Sequence, residues 1–151
     1  MVKFVESTPD TIERLDSWIK KDKFHKDAPI ENWYSVDKYC LITAWVYDDI
    51  GPVLFFRLDI EGENIRLNCQ FGPEDEVSRK RQASAICEVF PKLVDLTSIP
   101  EAKGIVFYSV SSDLISFMKK MGFEDWKENE FIFKFQMEQL CAVEQVLNKK
   151  I

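Results

Sequence analysis

The residue types that most often carry out chemistry are sparse in this chain. Its single histidine, His25, has no nucleophile or carboxylate motif around it, so we expect no hydrolase triad and no functional role for His25. The four cysteines are widely spread and form no CxxC pair: Cys40, Cys69, Cys87 and Cys141. Without ligand spacing, a zinc site is not expected. The cysteines are therefore predicted to be buried free thiols that stay reduced and hold no metal.

Ser111 begins the stretch SSDLISFMKKMGFEDW, whose pattern indicates a helix and its two ends. Ser111 or Ser112 can cap a helix, because a hydroxyl accepts a hydrogen bond from an otherwise unpaired backbone N–H. Apolar residues then recur at helical spacing: Leu114, Phe117, Met118 and Met121. Gly122 suits the left-handed conformation that ends a helix, which would let Phe123 fold back onto Met118. The stretch predicts a short helix, a glycine stop and a new strand.

The elements around this helix follow from periodicity and turn signals. The predicted strands cover residues 1–7, 39–47, 52–60, 65–71, 104–110, 123–126 and 130–135, and the predicted helices cover 9–24, a short segment from 29, 73–96, 111–121 and 136–150. Strands two to four form an antiparallel meander. Residues 104–110 are nearly all apolar or aromatic, as in a buried central strand. Pro91 is predicted to bend the long helix.

Bulk composition restricts the classes of protein to consider. The chain has 151 residues, of which 46% are hydrophobic, and is expected to form a single domain over 1–151. A net charge of −6 argues against a nucleic-acid surface and against binding to anionic lipid. No apolar run is long enough to span a membrane, and the first ten residues lack a signal peptide's hydrophobic region. A cytoplasmic protein without nucleic-acid or membrane partners is therefore expected.

The order of these elements resembles the GNAT N-acetyltransferase superfamily. The most specific match is the stretch around the short helix, where Ser111, Phe117, Lys120, Gly122 and Phe123 stand at the family's spacings. The resemblance covers nearly the whole chain except the added C-terminal helix. It implies an α+β or mixed α/β fold, with a mostly antiparallel sheet and helices on both faces.

The same resemblance implies a coenzyme A site at the start of the long helix. In such enzymes the first backbone N–H groups of that helix bind the pyrophosphate. The sequence pattern of the family at this segment is Arg or Gln, two residues of any type, Gly, one residue of any type, then Gly or Ala. Residues 79–84 fit this pattern best. With Phe71 of the preceding strand, the expected coenzyme-binding residues are Phe71, Arg79, Arg81, Gln82, Ala83 and Ser84. Gln82 and Ser84 stand where glycines belong. Arg79 and Arg81 are the expected phosphate-binding side chains.

An ordinary solvated helix surface also explains these residues. If the helix begins at Pro73, then Glu74, Asp75 and Glu76 lie in its first turn and satisfy the helix dipole. Asp75 with Arg79, and Glu76 with Lys80, would be ion pairs at the i, i+4 spacing. On the sequence alone this interpretation is favoured over phosphate binding.

The catalytic residues that the family uses are not all present. Many members place a tyrosine after the aromatic of the short helix, where it protonates the leaving thiolate, and the corresponding residue is Met118. Ser111 lies nearby and is the candidate catalytic residue, although helix capping explains it better. The fourth strand offers Arg66, Asn68 and Gln70, none of which is a good base at neutral pH.

Two functions of different classes remain open. The first is transfer of an acyl group from acetyl-CoA to an amine substrate, by direct attack where the fourth and fifth strands separate. The second is a non-catalytic binding or regulatory module that has lost coenzyme A binding. The C-terminal helix could provide a contact for a homo-oligomer or a protein partner. We favour the acyltransferase narrowly.

Overall fold

The computed structural model describes residues 1–135. The predicted C-terminal helix, with Cys141 and the partner contact proposed for that helix, lies outside the described residues.

The described residues form strands and helices in the predicted order. In chain order they are β1 (Lys3–Glu6), α1 (Pro9–Lys21), α2 (Glu31–Tyr34), β2 (Cys40–Tyr47), β3 (Pro52–Glu61), β4 (Asn64–Phe71), α3 (Arg79–Thr97), β5 (Gly104–Tyr108), α4 (Ser112–Lys120), β6 (Glu124–Lys127) and β7 (Glu130–Lys134). Most boundaries lie within one or two residues of the predicted ones, a usual margin for helix and strand ends.

All seven strands belong to one sheet, in the spatial order β1-β2-β3-β4-β5-β7-β6. Every neighbouring pair is antiparallel except β4 and β5, which are parallel. The strand β5 therefore lies inside the sheet between β4 and β7, and four of its five residues are buried. The predicted mostly antiparallel sheet with an internal fifth strand is confirmed.

Helices cover both faces of the sheet. Residues paired across neighbouring strands project to the same face, so Trp45, Phe55 and Gln70 define one face, called here the front face. Trp18 of α1 packs edge-on against Trp45 at 5.2 Å between ring centroids, which places α1 on the front. The opposite, rear face carries Phe107, Phe131 and Phe133, and Phe90 of α3 packs against Phe133 at 5.1 Å. The sheet is thus enclosed by α1 and α2 in front and by α3 behind.

The short helix α4 begins and ends as its sequence predicts. Ser111 is its N-cap, and the Ser111 hydroxyl accepts from the backbone N–H of Leu114. At the other end, the N–H of Phe123 donates to the carbonyl of Met118 at 3.2 Å, and the N–H of Gly122 donates to the carbonyl of Lys119 at 3.1 Å. This is the Schellman arrangement, and Gly122 has the positive φ (111°) that it requires.

The start of α3 differs from the prediction. The helix begins at Arg79 with Ser78 as N-cap, six residues later than the predicted start at Pro73. Residues 73–77 form a separate turn, in which the N–H groups of Glu76 and Val77 both donate to the carbonyl of Pro73. The predicted helix start was therefore wrong, because a proline followed by acidic residues also suits an isolated turn. Pro91 lies inside the helix, as expected.

The described cysteines are free, but they are not all buried. Cys40 and Cys69 are half-buried, whereas Cys87 is exposed on α3, so the prediction of a buried thiol was wrong at Cys87. Desolvation raises the pKa of the Cys69 thiol to about 12, which leaves it protonated and unreactive. Within residues 1–135, no group of histidine, cysteine and carboxylate side chains is arranged to hold a metal ion. No helix in the same range is long and apolar enough to cross a membrane.

Candidate active site

The sheet opens between its two parallel strands. β4 and β5 pair only at their beginnings, through Asn64 with Gly104, Ile65 with Ile105 and Arg66 with Val106. Beyond this foot β4 continues to Phe71 and β5 to Tyr108, and no further pairing joins them within the described residues. The two strand ends therefore border a cleft whose walls include unpaired backbone N–H and C=O groups.

Two helices begin at the open end of this cleft. α3 follows β4 after a short loop, and α4 follows β5. The Arg79 guanidinium at the start of α3 lies 3.5 Å from the carboxylate of Asp113 in the first turn of α4. Because both side chains are largely exposed, this ion pair is weak, but it shows that the two helix starts face each other across the cleft.

The first backbone amides of α3 are available to a ligand. The N–H of Arg81 donates to the Ser78 hydroxyl at 3.2 Å, and the N–H of Gln82 donates to the Ser78 carbonyl. For the N–H groups of Arg79 and Lys80, no acceptor is found within residues 1–135. Helix starts of this kind favour anions, because the unpaired amides and the helix dipole both present positive charge.

The acidic residues before α3 do not occupy its first turn. The expected ion pairs of Asp75 with Arg79 and of Glu76 with Lys80 are not found. Glu74 binds Arg79 at 2.6 Å instead, and Asp75 and Glu76 each lie within 4 Å of Lys21. The interpretation in which the carboxylates satisfy the helix dipole was therefore wrong, since α3 has no acidic residue in its first turn.

Arg81 does not extend into the solvent at the helix start. Its guanidinium makes two hydrogen bonds of 2.8 Å to the carboxylate of Asp48, which lies in the β2–β3 turn. Both side chains are about four-fifths covered. The Arg81 hydrogen bonds hold the pKa of Asp48 well below its usual range. Arg81 thus fastens α3 to the turn, and the structure gives it a structural partner in place of the phosphate expected from the sequence.

Gln82 closes the loop between β4 and α3. Its side-chain amide donates to the carbonyl of Gly72 at 2.8 Å and to the carbonyl of Val77 at 3.2 Å. The loop is tight: a Cβ atom on Gly72 would lie 2.4 Å from a methyl carbon of Val77, closer than any real contact. The other residues of the predicted segment are half-buried (Phe71, Ala83) or exposed (Ser84). Gln82 therefore holds the loop where the family pattern has a glycine.

A cluster that the sequence did not predict lies on the front face of β4. The side-chain oxygen of Gln70, which is 1% exposed, lies 2.7 Å from Nδ1 of His25. The side-chain nitrogen of Gln70 donates to Asp22 at 3.0 Å and to the carbonyl of Phe71 at 3.0 Å. Asp22, at the C-cap of α1, also lies 3.3 Å from Nδ1 of His25. The chain thus brings its only histidine to the strand that borders the cleft.

The charges in this cluster shift one another's pKa. Burial alone would raise the pKa of Asp22, but hydrogen bonds from His25 and the Phe24 amide outweigh it and lower the pKa to about 2. Burial alone would lower the pKa of His25, but its hydrogen bonds to Asp22 and Gln70 and the Asp22 charge raise it above the usual value. The Asp22–x–x–His25 spacing at a helix end was the available sequence signal, and only the fold adds Gln70 to it.

A polar cavity of about 420 Å³ lies where α2 meets β3 and the beginning of β4. Its wall includes Arg57, Asp59 and Arg66, and Arg57 is almost fully covered and bound to Asp59 and to the carbonyl of Ser35. Arg66 also donates to Glu130 of β7 at 2.7 Å, and Glu130 pairs with Tyr108 at the end of β5, so this contact links β4 to β7 over β5. Each charged side chain in this group has a partner, so the contacts stabilise this part of the sheet.

Comparison with solved structures identifies the fold. One similar structure is PaiA N-acetyltransferase from Thermoplasma acidophilum, solved with coenzyme A. The alignment covers 89% of this chain and 99% of PaiA, with 18% sequence identity and a TM-score of 0.59. A second is NAA60 from Arabidopsis thaliana, solved with a bisubstrate analogue. The alignment covers 90% of this chain and 99% of NAA60, with 15% sequence identity and a TM-score of 0.60. A third is the aminoglycoside acetyltransferase AAC(6')-Ib, solved with ribostamycin and coenzyme A. The alignment covers 90% of this chain and 94% of AAC(6')-Ib, with 12% sequence identity and a TM-score of 0.64. No protein-family model matches the sequence, and no curated protein does.

The chain has the GNAT N-acetyltransferase fold. The fold resemblance inferred from the sequence is therefore confirmed. Identities below 20% establish the fold but do not transfer an activity.

Within the GNAT fold, α4 lacks the tyrosine that many members use. Met118 stands at that position and is buried in the core, and its thioether has no proton to donate. Ser111 caps α4, and its own N–H donates to the hydroxyl of Ser109 at 3.1 Å. The structure thus assigns Ser111 to the helix start, and a catalytic role for it stays a prediction.

Proposed function

We propose that this protein transfers an acyl group, taken to be acetyl, from an acyl-coenzyme A to an amine. The observation that carries the proposal is the cleft between β4 and β5, with the N-terminus of α3 at its open end. Similar structures solved with coenzyme A, PaiA and AAC(6')-Ib, support it. Nothing observed in residues 1–135 favours the non-catalytic module over the acyltransferase.

The residues at the cleft fit a pyrophosphate in part. Within residues 1–135 the amides of Arg79 and Lys80 have no acceptor, and both side chains are cationic and exposed. The acidic residues of the preceding turn do not lie within the first turn of α3. The carboxylates of Glu74 and Asp113 do reach the Arg79 side chain, but these pairs are exposed and weak, so a phosphate can displace them. Arg81 is already bound by Asp48, so we assign the phosphate contacts to the two amides and to Arg79 and Lys80, without Arg81.

The remaining contribution of the protein is to position the two substrates. Coenzyme A supplies an acyl group activated as a thioester. The unpaired backbone edge of β4 can bind the extended pantetheine arm and polarise the thioester carbonyl, as a β-strand edge binds a peptide. The amine would enter from the front face, between α1 and the cleft. A net charge of −6 favours a cationic amine.

A matched pair of variants at Arg79 tests the amide contacts. Arg79→Ala removes the side chain and keeps the N–H, whereas Arg79→Pro also removes the N–H. Proline suits the first helical position, and α1 already begins with Pro9 after an extended N-cap; Ser78 has the same extended backbone before Arg79. A hydrogen bond to a charged acceptor is worth about 1.5–3 kcal/mol. Arg79→Pro should therefore bind acetyl-CoA roughly 10- to 100-fold more weakly than Arg79→Ala.

Calorimetric titration of acetyl-CoA into wild type and both variants measures this difference, and release of free thiol in the presence of amines measures turnover. Equal affinity of the two variants would mean that the amides do not bind the pyrophosphate. No detectable binding to wild type at millimolar acetyl-CoA would contradict the acyltransferase and leave the non-catalytic module.

A further inference from the structure

Acyl transfer to an amine requires that the incoming ammonium lose a proton, and a side chain that accepts this proton speeds the reaction. The front face of β4 carries Arg66, Asn68 and Gln70, and none of these side chains is a base at neutral pH. The structure, however, places His25 directly on Gln70. We propose that His25 is the general base of the reaction and that Asp22 and Gln70 are its positioning residues. The inference rests on the proposed acyl transfer.

The position of His25 suits this role. Gln70 lies beyond Arg66, the last residue of β4 that pairs with β5, so it belongs to the part of the strand that borders the cleft. Its side chain projects to the front face, from which the amine would enter. The His25 side chain is 35% exposed, so it can be reached from solvent, whereas the neighbouring Gln70 is buried.

The hydrogen bonds around Gln70 determine which nitrogen of His25 is basic. The side-chain nitrogen of Gln70 faces two acceptors, the Asp22 carboxylate and the Phe71 carbonyl, so this amide cannot be flipped without placing oxygen against oxygen. Its oxygen therefore faces Nδ1 of His25 and must accept from it. Neutral His25 consequently carries its proton on Nδ1, and the lone pair lies on Nε2.

The charged group in contact with His25 favours a base of useful strength. Asp22 is ionised at neutral pH and lies against Nδ1, where it stabilises the imidazolium that forms when Nε2 takes a proton. Gln70 packs from β4 and Trp33 packs edge-on from α2 at 5.1 Å, and neither carries a charge. The pair thus resembles the carboxylate–histidine pairs that act as bases in other enzymes.

The proposed step balances with the two substrates alone. The ammonium gives one proton to Nε2 of His25, and the neutral amine nitrogen forms a bond to the thioester carbonyl carbon. The carbon–sulfur bond breaks, and the second nitrogen proton goes to the departing thiolate. The products are the amide, coenzyme A as free thiol, and one proton on His25 that passes to solvent.

The test combines a deletion with chemical rescue. His25→Ala should lower kcat roughly 10²- to 10⁴-fold, the range that general-base catalysis contributes, while the dissociation constant of acetyl-CoA changes less than about threefold. Added imidazole should restore part of the rate. Because removing the ring could disturb the loop, His25→Asn, which can still donate to Gln70, serves as a second variant and should show the same loss.

A pH profile separates a base from a structural residue. The wild-type kcat should rise with pH as His25 loses its proton, and Asp22→Asn should move this rise to lower pH and lower the plateau, because the imidazole becomes less basic. A kcat within threefold of wild type in both His25 variants would overturn the inference. So would a loss of rate that imidazole does not restore and that leaves the pH profile unchanged. A wild type that does not bind acetyl-CoA would refute the proposed function and this inference together, whereas an active wild type that gives either of the two results above would refute this inference alone.

Discussion

Arg81 and Asp48 form the best-defined ion pair near the cleft, and their geometry predicts a structural role. Two parallel hydrogen bonds between largely covered side chains join α3 to the β2–β3 turn. Arg81→Ala should therefore reduce the free energy of unfolding by about 1–2 kcal/mol and leave acetyl-CoA affinity nearly unchanged. Chemical denaturation and calorimetric titration measure the two quantities. A tenfold loss of affinity without loss of stability would restore Arg81 to the phosphate site.

The same pair predicts a pH dependence. Since Arg81 lowers the pKa of Asp48 in the folded state, the pair stabilises the protein above the unfolded carboxyl pKa of about 4 and loses its effect as pH falls below that value. The stability difference between wild type and Arg81→Ala should thus be largest at neutral pH and shrink below about pH 4. Arg79→Ala, at a largely exposed pair, is the matched control and should show no measurable difference at either pH.

Residue roles at this site were the hardest to predict from the sequence, because they depend on partners far along the chain. The resemblance implied a phosphate contact for Arg81 from its position in a motif, yet its partner in the structure is Asp48, 33 residues away in the β2–β3 turn. No partner was expected for His25, yet its ring contacts Gln70, 45 residues away. A local pattern cannot show which of these distant groups will meet. Ser111 and Gly122 were predicted well because their partners lie within the same helix.

At the scale of the elements, the end of α4 gives a clean test. Gly122 has a φ of 111°, and a Cβ there would lie 3.0 Å from the ring of Phe133. Gly62 has a φ of 60°, and no atom of the described residues lies within 4 Å of its Cβ position. Gly62→Ala should lose about 1–2 kcal/mol from the backbone alone. Gly122→Ala should lose about 1–3 kcal/mol more, because the Phe133 ring must move. Equal losses on chemical denaturation would mean that the core beside α4 yields freely.

Element boundaries could be predicted where a single physical signal decided them. The alternation in β2, β3 and β4 and the apolar run of β5 indicated the strands correctly. The start of α3 was missed because Pro73 and Ser78 are both good helix starts locally. What decides between them is tertiary: Gly72 packs against Val77 too closely for any side chain, and Gln82 binds the carbonyls of both residues. These contacts fold residues 72–78 into a loop before the helix begins.

For the whole molecule, the arrangement of the cleft follows from the one parallel pair of strands. Parallel neighbours require a crossover, so α3 returns along the rear face before β5 begins. Helices that follow parallel strands then start at the same edge of the sheet, which brings the N-termini of α3 and α4 together. Element order was enough to predict this topology. The separation of the fourth and fifth strands was expected from the resemblance, but its position after three residue pairs was not, since nothing in their apolar pattern marks it.

If coenzyme A binds in this cleft, it contacts both the edge of β4 and the start of α3. Binding to the folded protein should then stabilise the whole fold. Acetyl-CoA at one hundred times its dissociation constant adds about 2.7 kcal/mol to the free energy of unfolding. For a chain of this size that corresponds to a rise in Tm of roughly 5–10 °C. Differential scanning calorimetry measures the shift. Pantetheine, which lacks the phosphates, should produce a smaller rise at the same concentration, and Arg79→Pro should reduce the effect of acetyl-CoA without changing that of pantetheine. An equal shift with both ligands would place the binding energy on the strand edge and not at the start of α3.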